Sequence, residues 1–214
     1  MSDKKLIIFD LDGTLIDSNK DLAVAVNYMR SKFNLPPHDE ATIMSFVGNG
    51  VAKLVERSIA DAPELDFPTC LEIMKGYYVE HSTDYTTAYP AVIEGLKQLK
   101  EFGFNLCVFT NKFTDAAELI LNKLGLGKFL DEIIGSDSGF PLKPEPDAIF
   151  YLMDKYKVDS QKTYMVGDHY TDLEAGRKAG CKKVFVTYGI GKTMGESFDF
   201  QAATFPELVE KLRS

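Results

Sequence analysis

The chain has 214 residues, enough for one or two domains and for a full hydrophobic core. Its 32 acidic against 24 basic residues leave a formal net charge of −8, which argues against a nucleic-acid or anionic-membrane partner, since Lys and Arg fields hold both. The composition is 45% hydrophobic and 26% charged, ordinary for a globular protein, and no apolar run approaches the ~20 residues of a membrane span.

The opening MSDKKLIIFD reaches Asp10 after only four apolar residues, too few for a secretory signal, so a cytoplasmic location is expected. Cys70, Cys107 and Cys181 are widely spaced and odd in number, which suits small buried hydrophobes in a reducing compartment.

The first apolar run, 6–9, predicts a strand that ends in Asp10-Leu11-Asp12-Gly13-Thr14. Residues two apart on a strand face one side, so Asp10 and Asp12 are expected to point together. Two close carboxylates repel, which separates their pKa values or requires a cation between them. Gly13 lets the backbone turn there and approach an anion closely.

Roughly 90 residues then precede the second strand, far more than one crossover helix needs. Leu22, Val26, Met29 and Phe33 have helical spacing, as do Val51, Leu54, Val55 and Ile59, and a Tyr- and Met-rich third helix is expected over 69–85. Residues 17–86 therefore read as an all-helical insertion. Within it, Gly48-Asn49-Gly50 begins a helix and either offers backbone N–H groups to an anion or forms a hinge. Lys53 and Arg57 follow, as anion attractors or as a solvated helix face. Tyr77, Tyr78 and Tyr85 read as packing within the insertion or at its interface, and His38 and His81 as structural.

Further strands are expected at 104–109, 132–134, 163–166 and 183–187, alternating with helix-period segments, the pattern of a parallel α/β sheet. Ligands of such sheets bind beyond the carboxyl ends of the strands. There the chain carries Thr110-Asn111, a hydroxyl and free N–H groups; Lys143 in a loop stiffened by Pro144 and Pro146; and Asp168 with Asp172 four residues later. Each alone is an ordinary cap or loop residue, but their conjunction at separate strand ends is not expected from independent capping. Acids around one point require a divalent cation, and hard oxygen ligands select Mg²⁺. Lysine, hydroxyl and backbone donors opposite them suit a phosphoryl group. After the last strand, 189–193 (GIGKT) lacks the first glycine of a phosphate-binding loop, Val186 standing in its place, and is expected to be a surface loop.

With these segments assembled, the sequence resembles the haloacid dehalogenase superfamily: DLDGT at 10–14, TN at 110–111, KPEP at 143–146 and GDHYTD at 167–172 match its four motifs in order. The resemblance covers the whole chain. It implies a Rossmann-like parallel sheet sandwiched by helices, with a core of 1–16 and 87–214 and a helical cap at 17–86. Residues 46–60, FVGNGVAKLVERSIA, look like the cap segment of phosphoglycolate phosphatases.

By that resemblance Asp10 is the nucleophile of an aspartyl-phosphate mechanism and Asp12 the acid and base. Thr110, the Asn111 backbone and Lys143 hold the phosphoryl group. Asp10, the Asp12 main-chain carbonyl and Asp168 hold Mg²⁺, supported by Asp172, and the Gly48, Asn49 and Gly50 loop meets the substrate. An acid at Asp12 disfavours dehalogenation, which has no alkoxide to protonate. His169, where related phosphatases often carry Ser or Thr, is expected to be a hydrogen-bonded rim residue. The implied partner is a small phosphorylated metabolite, 2-phosphoglycolate first, with neither nucleic acid nor membrane, in a monomer or homodimer. Sugar-phosphate phosphatase, pyrophosphatase, phosphosugar mutase and, outside the enzymes, a phospho-receiver domain are the alternatives.

Overall fold

In the computed structural model, which describes residues 5–213, the apolar run Leu6–Phe9 forms β1 at the middle of the sheet. Residues 1–4 and 214, part of the expected core, lie outside the described residues. From β1 the chain turns tightly into β2 (Ile16–Asp17) and enters four helices, α1 (Asn19–Ser31), α2 (Glu40–Met44), α3 (Val51–Ser58) and α4 (Phe67–His81). It returns on β3 (Thr87–Ala88), which pairs antiparallel with β2. Next come α5 (Val92–Glu101), β4 (Asn105–Phe109), α6 (Thr114–Lys123), β5 (Glu132–Ile134) and α7 (Asp147–Tyr156). The chain ends with β6 (Thr163–Gly167), α8 (Tyr170–Ala179), β7 (Lys182–Val186), β8 (Phe200–Ala202) and α9 (Phe205–Arg213).

The large sheet has six strands in the order β5-β4-β1-β6-β7-β8, all parallel. Alternate side chains leave its two faces, as strand geometry requires. Ile7, Phe9, Val108 and Val166 enter a core with residues of α5, α6 and α9, whereas Leu6, Ile8, Phe109 and Met165 pack with Ile149 and Leu152 of α7 and Ala175 of α8. Burial on both faces is why these strands read as continuous apolar runs. The first of these cores continues into the inserted helices through Leu22, Val26, Met29, Leu54 and Met74.

The expected strands and the three long helices of the insertion are present, with ends shifted by a few residues. β8, the β2–β3 pair and α2 were not expected. All three cysteines are buried and free. Among the described residues no helix is long and apolar enough to cross a membrane.

Two polar residues organise the insertion. Arg30 is completely buried; its guanidinium grips Asp61 with both terminal nitrogens at 2.8–2.9 Å, its Nε donates to the Pro36 carbonyl at 2.8 Å, and it also donates to the Ser58 carbonyl. Asp21, in the first turn of α1, accepts the backbone N–H groups of Tyr85 and Thr86 and the Thr86 hydroxyl, fixing the return path toward β3.

Candidate active site

Because β1 lies between β4 and β6, the loops after these strands meet at one edge of the sheet. Register brings them level: Phe9 pairs with Val108 and with Val166, and the Asp10 N–H extends the ladder to the Val166 carbonyl at 2.8 Å. Asp10 thus emerges beside Thr110 and Asp168, although the three are far apart in sequence.

Asp12 arrives by a different route from the expected one. The strand stops at Phe9, and a turn closed by Leu15 and Ile16 N–H groups on the Leu11 carbonyl swings Asp12 into place. Gly13 within it has φ +83°, and a Cβ there would lie 2.2 Å from an Asp168 carboxylate oxygen, so the turn packs only if this residue has no side chain.

Lys143 sits at the centre of the site. Its Nζ lies 2.7 Å from Asp10 Oδ1 and 2.7 Å from Asp172 Oδ1, with both side-chain partners buried. Burial alone would lower the lysine pKa, but the two carboxylates outweigh it and hold the group charged. The loop carrying Lys143 is aimed by Asn111, whose Oδ1 accepts the Lys143 N–H at 2.9 Å. The Asn111 amide donates to the Lys143 carbonyl at 3.1 Å and to the Gly48 carbonyl at 3.0 Å, tying the insertion to the sheet.

Asp168 accepts the Ile190 and Gly191 N–H groups on one oxygen at 2.8 and 2.7 Å. The expectation of a mere surface loop at 189–193 is therefore corrected: this loop turns two backbone donors onto a site acid. Asp172 spends its second oxygen on the His169 N–H at 3.0 Å, in a capping box that starts α8. One oxygen from each of Asp10, Asp168 and Asp172 lies within 4.8 Å of the others. Asp172 is taken up by close contacts to Lys143 and the His169 N–H, whereas Asp168 Oδ1 has only the Thr14 hydroxyl at 3.4 Å, which makes Asp10 and Asp168 the better placed to take a cation. Burial first, then mutual repulsion and Asp172, raises the Asp168 pKa to about 7; burial likewise raises Asp10 to about 6 although Lys143 opposes it.

A cavity of about 620 Å³ opens above them, between the sheet edge and α3 and α4. Gly48, Asn49 and Gly50 line it, with Gly50 capping α3. The Asn49 amide donates to the Tyr170 hydroxyl at 2.9 Å. Arg57 also lines the cavity and braces the loop by donating to the Phe46 carbonyl at 2.8 Å, while Lys53 pairs with exposed Glu56. His169 is at the rim, hydrogen-bonded to the Thr171 hydroxyl at 2.9 Å, and burial lowers its pKa to about 4. Tyr77 stacks between Tyr28 and His81, whereas Tyr85 is exposed.

A family model described as haloacid dehalogenase-like hydrolase matches residues 7–186. The chain belongs to that family. A phosphoglycolate phosphatase of Haemophilus influenzae is 37% identical over 193 residues, covering 86% of this chain and 86% of its own. One from Aquifex aeolicus is 32% identical over 96% of this chain and 95% of its own. The crystal structure of a predicted phosphoglycolate phosphatase from Haemophilus somnus superposes with a TM-score of 0.93 at 33% identity, covering 99% of both chains. As a haloacid dehalogenase-like hydrolase with such relatives, the chain is an enzyme of the phosphatase group.

Within this hydrolase, sequence reasoning missed Lys112, Tyr78 and Ser18. Lys112 Nζ lies 2.8 Å from Asp12 Oδ2, Tyr78 Oη accepts from the same nitrogen at 2.9 Å, and the Ser18 hydroxyl donates to Asp12 Oδ1. Lys112 follows the TN pair directly, so its position at a strand end was a usable signal. Nothing in the local sequence joins Tyr78 to it.

Proposed function

We propose that this hydrolase cleaves small phosphate monoesters through an aspartyl-phosphate on Asp10, with Asp12 as general acid and base. The observation that carries the reading is a buried carboxylate at the end of the central strand, neutralised by Lys143, beside a second carboxylate held separately by Lys112. Two carboxylates with different partners are suited to different roles.

In the first step an Asp10 oxygen bonds to phosphorus, the ester P–O bond breaks, and the departing alkoxide takes a proton from Asp12. In the second, water gives its proton to Asp12 and attacks phosphorus, and the bond to Asp10 breaks to release phosphate. Lys143 and the Thr110 hydroxyl offer fixed donors to the transferring oxygens, and Asp172 keeps Lys143 in place. The donor set fits a hard divalent cation: Asp10, Asp168 and the Asp12 carbonyl would hold Mg²⁺, and burial of the Asp10 and Asp168 carboxyls, which raises their pKa values, makes a cation between them favourable. When bound, Mg²⁺ supplies charge neutralisation that lets an anionic ester approach Asp10.

Residues 17–86 act in this reading as a cap over a core of 1–16 and 87–214, with the Gly48, Asn49 and Gly50 loop facing the substrate. 2-Phosphoglycolate is the first substrate to test, a reading supported by the activity named for the relatives. Asp10→Asn should abolish phosphate release from every compound in a screen of phosphorylated two-carbon acids, sugar phosphates, nucleotides and pyrophosphate. Turnover persisting in that variant would sink the mechanism.

A further inference from the structure

Lys112 is placed just after β4, with its side chain 5% exposed. Moving an ammonium out of water is costly unless its donors are used. Two are accounted for: Asp12 Oδ2 at 2.8 Å and the Tyr78 hydroxyl at 2.9 Å, and the ammonium lies 4.7 Å from the Tyr78 ring centroid. Tyr78 belongs to α4, is 1% exposed, and packs edge-on against Phe113. The opposite oxygen of Asp12 takes the Ser18 hydroxyl at the entrance to α1. An acid that sits on a turn, beyond the end of its strand, is thus held by one donor from the core and one from the root of the insertion.

We propose that Lys112 is a positioning residue for Asp12, and that Tyr78 anchors Lys112 from α4, so that the helical insertion supplies part of the acid–base apparatus of the core. This rests on the reading of Asp12 as proton donor. A general acid acts only when its proton lies within hydrogen-bond reach of the leaving oxygen. A carboxyl that lost its Lys112 contact would be held by the Ser18 hydroxyl alone, and protonation would weaken while attack by Asp10 remained possible.

The test exploits the leaving group. An aryl phosphate departs as a stabilised phenolate and needs little protonation, whereas an alkyl phosphate departs as a basic alkoxide and needs it strongly. kcat/KM reports the first phosphoryl transfer, and p-nitrophenyl phosphate and 2-phosphoglycolate are the two probes. Lys112→Met should lower kcat/KM for the alkyl ester by about 100-fold, the scale of general acid catalysis, and for the aryl ester by less than about tenfold.

Tyr78→Phe, which keeps the ring and removes one hydrogen bond, should split the two esters in the same direction by about fivefold. Should Lys112→Met fail to fold, as judged by circular dichroism, Tyr78→Phe decides alone. Equal losses on both esters, or none on either, would overturn the proposal. Failure of the underlying reading looks different: Asp12→Asn would then itself show no dependence on the leaving group.

Discussion

At the scale of single residues the site stores electrostatic tension in Asp10 and Asp168. Burial raises both above the ordinary carboxylate value of 3.8, to about 6 and about 7. A folded state that binds protons more tightly than the unfolded chain loses stability as pH rises through that interval. In a chelating buffer, melting temperature should therefore fall between about pH 4 and pH 7 by an amount that shrinks in Asp168→Asn. With excess Mg²⁺ the slope should reverse, because the ion displaces the protons. Identical slopes for the two proteins in chelator would contradict the assignment.

A second residue-scale prediction concerns Gly48, at φ +109° with its would-be Cβ 2.7 Å from the His169 ring. Gly48→Ala should cost about 1–3 kcal/mol in urea unfolding, from backbone strain and the ring clash together. Adding His169→Ala should recover the clash and leave the strain, a coupling that a double-mutant cycle reads directly.

At the scale of elements, Arg30 joins α1 to the segment after α3 and to the chain before α2. Arg30→Met would leave carbonyls and Asp61 without their donor, and should cost about 3 kcal/mol by denaturant titration. Lysine should not rescue it, since one ammonium cannot reproduce the forked grip.

The elements also show what could be read beforehand. β1, β4 and β6 were legible because burial on both faces leaves unbroken apolar runs, and the four acids and Thr110 because they come at or soon after the ends of such runs; Lys143, well beyond β5, was marked instead by the two prolines of its loop. β8 was not: Phe200-Gln201-Ala202 is three residues with an exposed centre, on the sheet edge. α2 spans only five residues, too few for helical periodicity to emerge. The donors to Asp12 and Asp168 escaped for another reason. Lys112 lies 100 positions beyond Asp12, and Gly191 belongs to a loop whose backbone, not its side chains, makes the contact.

At the scale of the whole molecule, the inserted helices do not form a core of their own. Leu22, Val26, Leu54 and Met74 belong to the same apolar cluster as Ile7, Phe9 and Val166. Unfolding should accordingly be one cooperative transition, with calorimetric and van't Hoff enthalpies that agree. Two resolved heat peaks would show that insertion and sheet melt separately. Arg30→Met should shift that single transition downward without splitting it.

The pairing of Ile16 with Ala88 and of Asp17 with Thr87 sets the two ends of the insertion side by side. A segment whose ends already touch can change in length between them without pulling β1 apart, so long as Ser18 and Tyr78 stay to hold Asp12 directly and through Lys112. In the proposed reading the chemistry stays with one part of the chain and the choice of substrate with the other, and two short paired strands are the seam between them.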